Sequence, residues 1–347
     1  MWKLLTFLTL NCIIYANVSN KEIANMFIVG FNGNNIYKTD ICNSGVGGVI
    51  VFKKSPSGKK FKNFYDVTSL KRLTSDLKKC TTKPLIAIDQ EGGLVQRIKF
   101  TYKYPKASSV AKKGLNYAKS IYNKMAQELN SLGINLNFAP VADLALNPKN
   151  RVIVYYGRSY GKDYNKVIAY DKTFIEAMHN YNIATTLKHF PGHGSSFGDT
   201  HKGFVDVTNQ WRNIELKPYY ALKDITDAVM VAHIFNKRLD SKYPASLSKK
   251  IVTSLLRDTI GFKGVIITDD LQMGAIKKHY SLKKTIELAI NAGNDLLLFA
   301  NQLSAKDSVT ITQLVNITRE LINEGKIDEN LIKRANIRIN RLKNRLY

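Results

Sequence analysis

The stretch "ATTLKHFPGHGSSFGDTHKG", residues 184–203, changes character partway along. Ala184–Phe190 is a short apolar run with β-branched residues, the composition of a buried strand. From Pro191 onward, four glycines and a proline make it a loop. Lys188 and His189 stand at the far end of the strand, and three of the chain's six histidines fall between positions 189 and 201. The unit is therefore a strand that ends in polar groups and hands over to a long loop. The fold depends on whether that unit repeats.

It does. "MFIVGF" (26–31), "GGVIVF" (47–52), "PLIAID" (84–89), "NLNFAPV" (135–141), "AVMVAHI" (228–234), "GVIITDD" (264–270) and "DLLLFA" (295–300) complete a set of eight. These runs are continuous rather than alternating, as in parallel strands buried on both faces. Amphipathic stretches lie between them, at 116–133 (ending on a glycine), 162–180, 248–259 and 282–293, and residues 306–345 read as two helices. Strands alternating with helices in 347 residues predict the α/β class and a closed (β/α)8 TIM-type barrel. A doubly wound open sheet is the alternative. No low-complexity or Pro/Ser-rich linker divides the chain, so a single domain is expected.

The formal net charge is +25. The lysines are spread along the whole chain, with no dense arm and no basic–aromatic repeat, which argues against nucleic acid as a partner. A basic surface also suits anionic cell-wall material. Residues 1–17, "MWKLLTFLTLNCIIYAN", carry one lysine and then an apolar run from Leu4 to Ala16. That is the length of a signal-peptide core and too short to span a bilayer. We therefore read residues 1–18 as a signal peptide and 19–347 as the barrel with its C-terminal helices, in a periplasmic or secreted protein. A buried first element of a cytoplasmic protein is the other reading. Cys12 lacks a lipidation context, so no stable membrane anchor is expected, and the protein is expected to be a monomer. Cys42 and Cys80 could pair if the chain is exported, but their distance in sequence favours free buried thiols.

The polar chemistry has one address. Asp89, the Lys188–His189 pair, His233 and the Asp269–Asp270 pair each close a candidate strand. In a barrel those ends share the face where active sites are built. His189, His193, Asp199 and His201 could in principle hold a metal, but H-x3-H-x5-D-x-H matches no common zinc spacing, and no metal is expected. As an acid/base pair, Asp199 would fix the tautomer of His201 and stabilise its protonated form. Asp269, at the end of an apolar strand, is the best nucleophile candidate, with Asp270 capping the helix that follows. A carboxylate nucleophile facing a mobile proton donor describes a retaining glycosidase. Asp89 could accept hydrogen bonds from sugar hydroxyls, and Arg97, Arg158 and Lys188 could donate them. Taken singly, each is as well explained by a surface ion pair.

Together, "IDQEGGLVQR", "FAPVADL", "GRSYG", "LKHFPGHG" with "DTH", "MVAHI" and "VIITDDLQMGAI" resemble glycoside hydrolase family 3, in particular its single-domain β-N-acetylglucosaminidases, over about residues 26 to 300. The resemblance implies a barrel, retaining β-N-acetylhexosaminidase activity on N-acetylglucosamine-containing peptidoglycan fragments, and no cofactor. It makes Asp269 the nucleophile, His201 the general acid/base and Asp199 its partner. It makes Asp89, Arg97, Arg158, Lys188 and His189 sugar-binding residues, and leaves His193 structural. Relatives that recycle peptidoglycan usually work in the cytoplasm, whereas this chain begins like an exported one. Within the same barrel, β-glucosidase or phosphorylase chemistry is the alternative activity. The alternative of another class is an inactive barrel that binds cell wall.

Overall fold

The structure is a computed structural model that describes residues 17–99, 102–201 and 203–347. Cys12 and nearly all of the expected signal segment lie outside the described residues. Eight parallel strands form the centre: β1 (Phe27–Gly30), β2 (Gly48–Ile50), β3 (Leu85–Ile88), β4 (Leu136–Asn137), β5 (Ala184–Phe190), β6 (Ala228–Val231), β7 (Val265–Thr268) and β8 (Leu297–Phe299). Each lies inside one of the eight apolar runs. They pair in chain order, β1 also pairs with β8, and a parallel bridge between Ile267 and Leu296 closes the ring. Every residue of the eight strands is buried, which is why the runs do not alternate.

The helices shield the outside of the barrel. Leu115–Ser131, Tyr164–His179, Leu282–Ala292, Ile311–Asn323 and Glu329–Leu346 fall where the periodicity places them. The stretch at 248–259 is wound as a π-helix over Lys250–Thr259. A further helix, Val67–Cys80, turns in on a narrow stripe of Leu70, Leu73 and Leu77 among polar residues, and its N-terminus is closed by a reciprocal Asp66–Ser69 capping box.

The cysteines correct the sequence expectation. Cys42 and Cys80 are joined by a disulfide, with Cα atoms 5.0 Å apart across 38 residues of sequence. One precedes β2 and the other precedes β3. Adjacent parallel strands bring their entry segments side by side, and sequence distance conceals that proximity.

Candidate active site

The exit ends of the strands surround a cavity of about 170 Å3. Asp89, Arg97, Arg158, Lys188, His189, His201 and Asp269 all line it; Asp199 does not, but holds His201. Ile50, Phe138, Met230 and Leu298 add apolar wall, so the polar groups work in a partly dry space.

Asp89 follows β3 directly. The chain then folds into a small hairpin, Gln90–Gly92 against Val95–Gln96, that returns Arg97 to Asp89. The buried Gln90 side chain secures this turn by accepting from the backbone N–H groups of Arg97 and Ile98 at 2.9 and 3.1 Å. Arg97 Nη2 donates to Asp89 Oδ2 at 3.1 Å, and Lys188 Nζ donates to Asp89 Oδ1 at 3.2 Å. Burial alone would raise the Asp89 carboxyl, but the Lys188 and Arg97 charges overcome it and hold the group ionised.

Glu91 and Asp143 complete the site, and neither was singled out from the sequence. Glu91 takes two parallel hydrogen bonds from Arg158, both 2.8 Å, and a contact from Lys188 Nζ at 2.7 Å. Against the effect of burial, the Arg158 and Lys188 charges hold its pKa far below the usual carboxylate range. The three cations are thus fixed by two acids in a cluster that is mostly buried, not by surface ion pairs. Asp143 follows β4, at the same kind of strand end that drew attention to Asp89 and Asp269, and that was the available signal. Its Oδ2 lies 2.6 Å from His189 Nδ1, while its Oδ1 accepts from the His189 and His193 backbone N–H groups at 3.3 and 2.7 Å. Arg158 Nη2 lies 3.3 Å from His189 Nε2. Arginine can only donate, so Nε2 accepts and Nδ1 carries the proton.

Asp269 follows β7 with its carboxylate toward the cavity, and Oδ1 accepts from the Asp270 N–H at 2.8 Å. Burial opposes ionisation, but positive charge on His233, His189 and His201 when they are protonated, with the Asp270 N–H, outweighs it and brings the pKa to about 2. Asp270 differs. Burial, with Asp269 beside it, raises its carboxyl to about 7 against bonds from the Ala300 and Gln272 N–H groups. The first, at 3.2 Å, ties the β7 turn to the exit of β8, and the second, at 3.1 Å, closes the turn on itself. Asp270 therefore does not cap the following helix, Gly274–Lys277, whose N-cap is Met273. His233 braces the same turn, with Nε2 2.9 Å from the Asp270 carbonyl and Nδ1 2.7 Å from Ser246 Oγ.

The loop after β5 has a fixed base and an exposed tip. At the base, Ser195 Oγ donates to the buried Glu215 at 2.7 Å, and His193 Nδ1 lies 2.7 Å from Ser196 Oγ. Gly194 is required here, because a Cβ would lie 1.7 Å from the Leu144 carbonyl oxygen. Burial lowers His193 to a pKa of about 4, so it is neutral and structural. The ring nitrogens of His189 and His193 point at different partners, and the four residues considered as metal ligands do not converge. At the tip, Asp199 Oδ1 lies 2.9 Å from His201 Nδ1, and more than half of the His201 side chain is exposed. The carbonyls of Thr200 and His201 accept from the N–H groups of Ala275 and Gly274 at 3.1 and 3.3 Å. The tip is thereby clasped to the segment that follows Asp269.

Residues 18–342 match the family model described as "Glycosyl hydrolase family 3 N terminal domain". Proteins named Beta-hexosaminidase are similar in sequence: one from Photobacterium profundum is 35% identical over 79% of this chain and 80% of its own. Another, from Tolumonas auensis, is 34% identical over 74% of this chain and 76% of its own. Among solved structures, a glycoside hydrolase family 3 beta-N-acetylglucosaminidase from a Paenibacillus species superposes with a TM-score of 0.84 at 30% identity, covering 95% of this chain. This chain spans 63% of that longer protein and 99% of a Beta-N-acetylhexosaminidase from Beutenbergia cavernae, with a TM-score of 0.83 at 26% identity. With its parallel barrel, its acid-lined cavity and a match over nearly its whole length, the chain belongs to glycosyl hydrolase family 3 and is a glycoside hydrolase.

Proposed function

We propose that the protein is a retaining, exo-acting β-N-acetylhexosaminidase that releases terminal β-linked N-acetylglucosamine, with peptidoglycan fragments as its natural substrate. The observation that carries this reading is the pairing of an ionised Asp269 on the cavity floor with an Asp199–His201 pair on a separate loop. The cavity suits one terminal sugar rather than a chain, which favours exo action.

The sugar enters with its hydroxyls toward Asp89, Arg97, Arg158, Lys188 and His189. Asp269 attacks the anomeric carbon as the glycosidic oxygen leaves with the proton from His201 Nε2, giving a covalent glycosyl-enzyme. Asp199 accepts from His201 Nδ1–H, so it stabilises the imidazolium that must exist before this transfer. Water then gives a proton back to His201 and attacks the same carbon from the opposite face, which releases Asp269 and restores the configuration. The exposed tip lets water in between the two steps.

The disulfide supports export, since such bonds persist in oxidising compartments. The high positive charge supports a substrate embedded in anionic wall. The test is release of p-nitrophenol from its β-N-acetylglucosaminide and its β-glucoside by wild type and Asp269→Ala. Turnover of the N-acetyl substrate alone, abolished in the variant, is expected. Normal turnover by the variant would remove Asp269 from the mechanism.

A further inference from the structure

The entry end of the barrel, opposite the sugar cavity, holds a larger cleft of about 480 Å3 between the segments leading into β1, β2 and β3 and the helix Glu329–Leu346. Its floor is Lys343, which is 5% exposed. Lys343 Nζ donates to Asn25 Oδ1 at 2.7 Å, and no carboxylate lies within 4 Å of it among the described residues. Burial alone lowers its pKa, to about 8. A buried ammonium without a counter-charge is an expensive arrangement.

The amides around it are oriented by this cation. Because Asn25 Oδ1 faces Lys343, Asn25 Nδ2 must face the other way, and it donates to Asn336 Oδ1 at 2.7 Å and Asn340 Oδ1 at 3.2 Å. Lys83 Nζ likewise takes Asn344 Oδ1, at 2.9 Å. The amide oxygens of Asn25, Asn336, Asn340 and Asn344 are thus consumed by donors. What remains turned to the cleft is donor capacity: the Asn340 and Asn344 amide nitrogens and two of the three Lys343 protons have no acceptor among the described residues. Glu22 is the single carboxylate in the lining, and it is bound to its own helix cap, accepting from Ser19 N and Oγ at 2.7 and 2.8 Å. Lys21 and Lys83 at the rim leave the cleft net positive.

We infer that this cleft is a second ligand site, which binds an oxyanion of the phosphate class against Lys343, Lys83, Asn340 and Asn344. Tetrahedral oxyanions offer acceptors in several directions and satisfy a fan of N–H donors of this kind, and charge-assisted bonds of this type are the strong ones. The site is independent of the sugar cavity and of the reaction proposed there. Its ligand is free phosphate or a phosphodiester of a wall polymer, and both present the same chemistry.

Isothermal titration of the full chain with sodium phosphate, chloride holding the ionic strength constant, tests the inference. One saturable site is expected, unaffected by N-acetylglucosamine at the active site, with affinity at least tenfold weaker in both Lys343→Met and Lys83→Gln. Lys83 is exposed, so Lys83→Gln stays folded and keeps wild-type turnover, which separates loss of the site from loss of the fold. Titration with a glycerol phosphate oligomer distinguishes the two sources: tighter binding than phosphate points to the polymer, equal binding to the free ion. No saturable binding, equal binding by both variants, or displacement by N-acetylglucosamine overturns the inference, the last two by assigning the anion to diffuse surface charge or to the sugar cavity.

Discussion

Replacing Asp143 by Asn tests whether the tautomer of His189 matters. Three donors converge on this carboxylate, which is fully buried and held ionised against burial chiefly by His189. Asparagine has one carbonyl oxygen to offer them. If that oxygen serves the backbone N–H groups of His189 and His193, the NH2 faces His189 Nδ1 and the ring proton must move to Nε2. There it meets Arg158 Nη2 at 3.3 Å, donor against donor. If the amide turns the other way, the backbone groups lose their acceptor and the loop base shifts. A hydrogen bond to a charged group is worth about 1.5–3 kcal/mol, and about 1.4 kcal/mol is tenfold. Asp143→Asn should therefore lower kcat/KM on the aryl N-acetylglucosaminide about 10- to 150-fold, with the circular dichroism spectrum unchanged. In a His189→Phe background the same change should cost little more, because Asp143 acts through His189. A kcat/KM within twofold of wild type, or full additivity with His189→Phe, would refute the argument.

Replacing His201 by Gln should slow natural disaccharides at least about 100-fold but leave activated aryl leaving groups far less affected, since only poor leaving groups need the proton; equal losses on both would count against it. Burial raises Glu215 to about 7, above its unfolded value of 4.5, so the stability it contributes is complete below about pH 4.5 and lost as pH rises through 7. From pH 5 to pH 8 the melting temperature of Glu215→Gln should move upward relative to wild type, by an amount equivalent to at most about 3 kcal/mol; a constant difference would rule this out. Cys80→Ser should lower thermal stability by about 4 kcal/mol in the chain-entropy picture for a 38-residue separation, and calorimetry of wild type with and without reductant should reproduce the loss. Gly194→Ala has no room beside Leu144, so it should depress kcat through displacement of the loop while Asp269 and the sugar-binding residues stay in place, a split visible as a larger fall in kcat than rise in KM.

What could be read from the sequence was whatever is written locally. Strands buried on both faces write continuous apolar runs, so all eight were visible, and polar residues at their exits stood out because the runs stop there. Val67–Cys80 was harder, since three leucines among lysines and threonines make a weak stripe. Partnerships across long sequence distances were not legible. Glu91 looked like one residue of a turn until the barrel set it between Arg158 and Lys188, and Asp143 needed His189, 46 residues away, beside it. The disulfide failed for the same reason: the neighbourhood of Cys42 and Cys80 is created by the pairing of β2 with β3.

The seam of the barrel also sets a timetable. β1 lies between β2 and β8, and Phe27 pairs with Leu297. At about 5–20 residues per second, a ribosome needs roughly 15–55 s to make the intervening chain. During that interval the nascent sheet has two open edges and cannot close, however well its earlier strands pair. Unpaired edges recruit other chains, so for that interval the first strand has one edge open to pairing outside its own sheet. A barrel that cannot seal until its eighth strand arrives stays open for nearly the whole of its own synthesis.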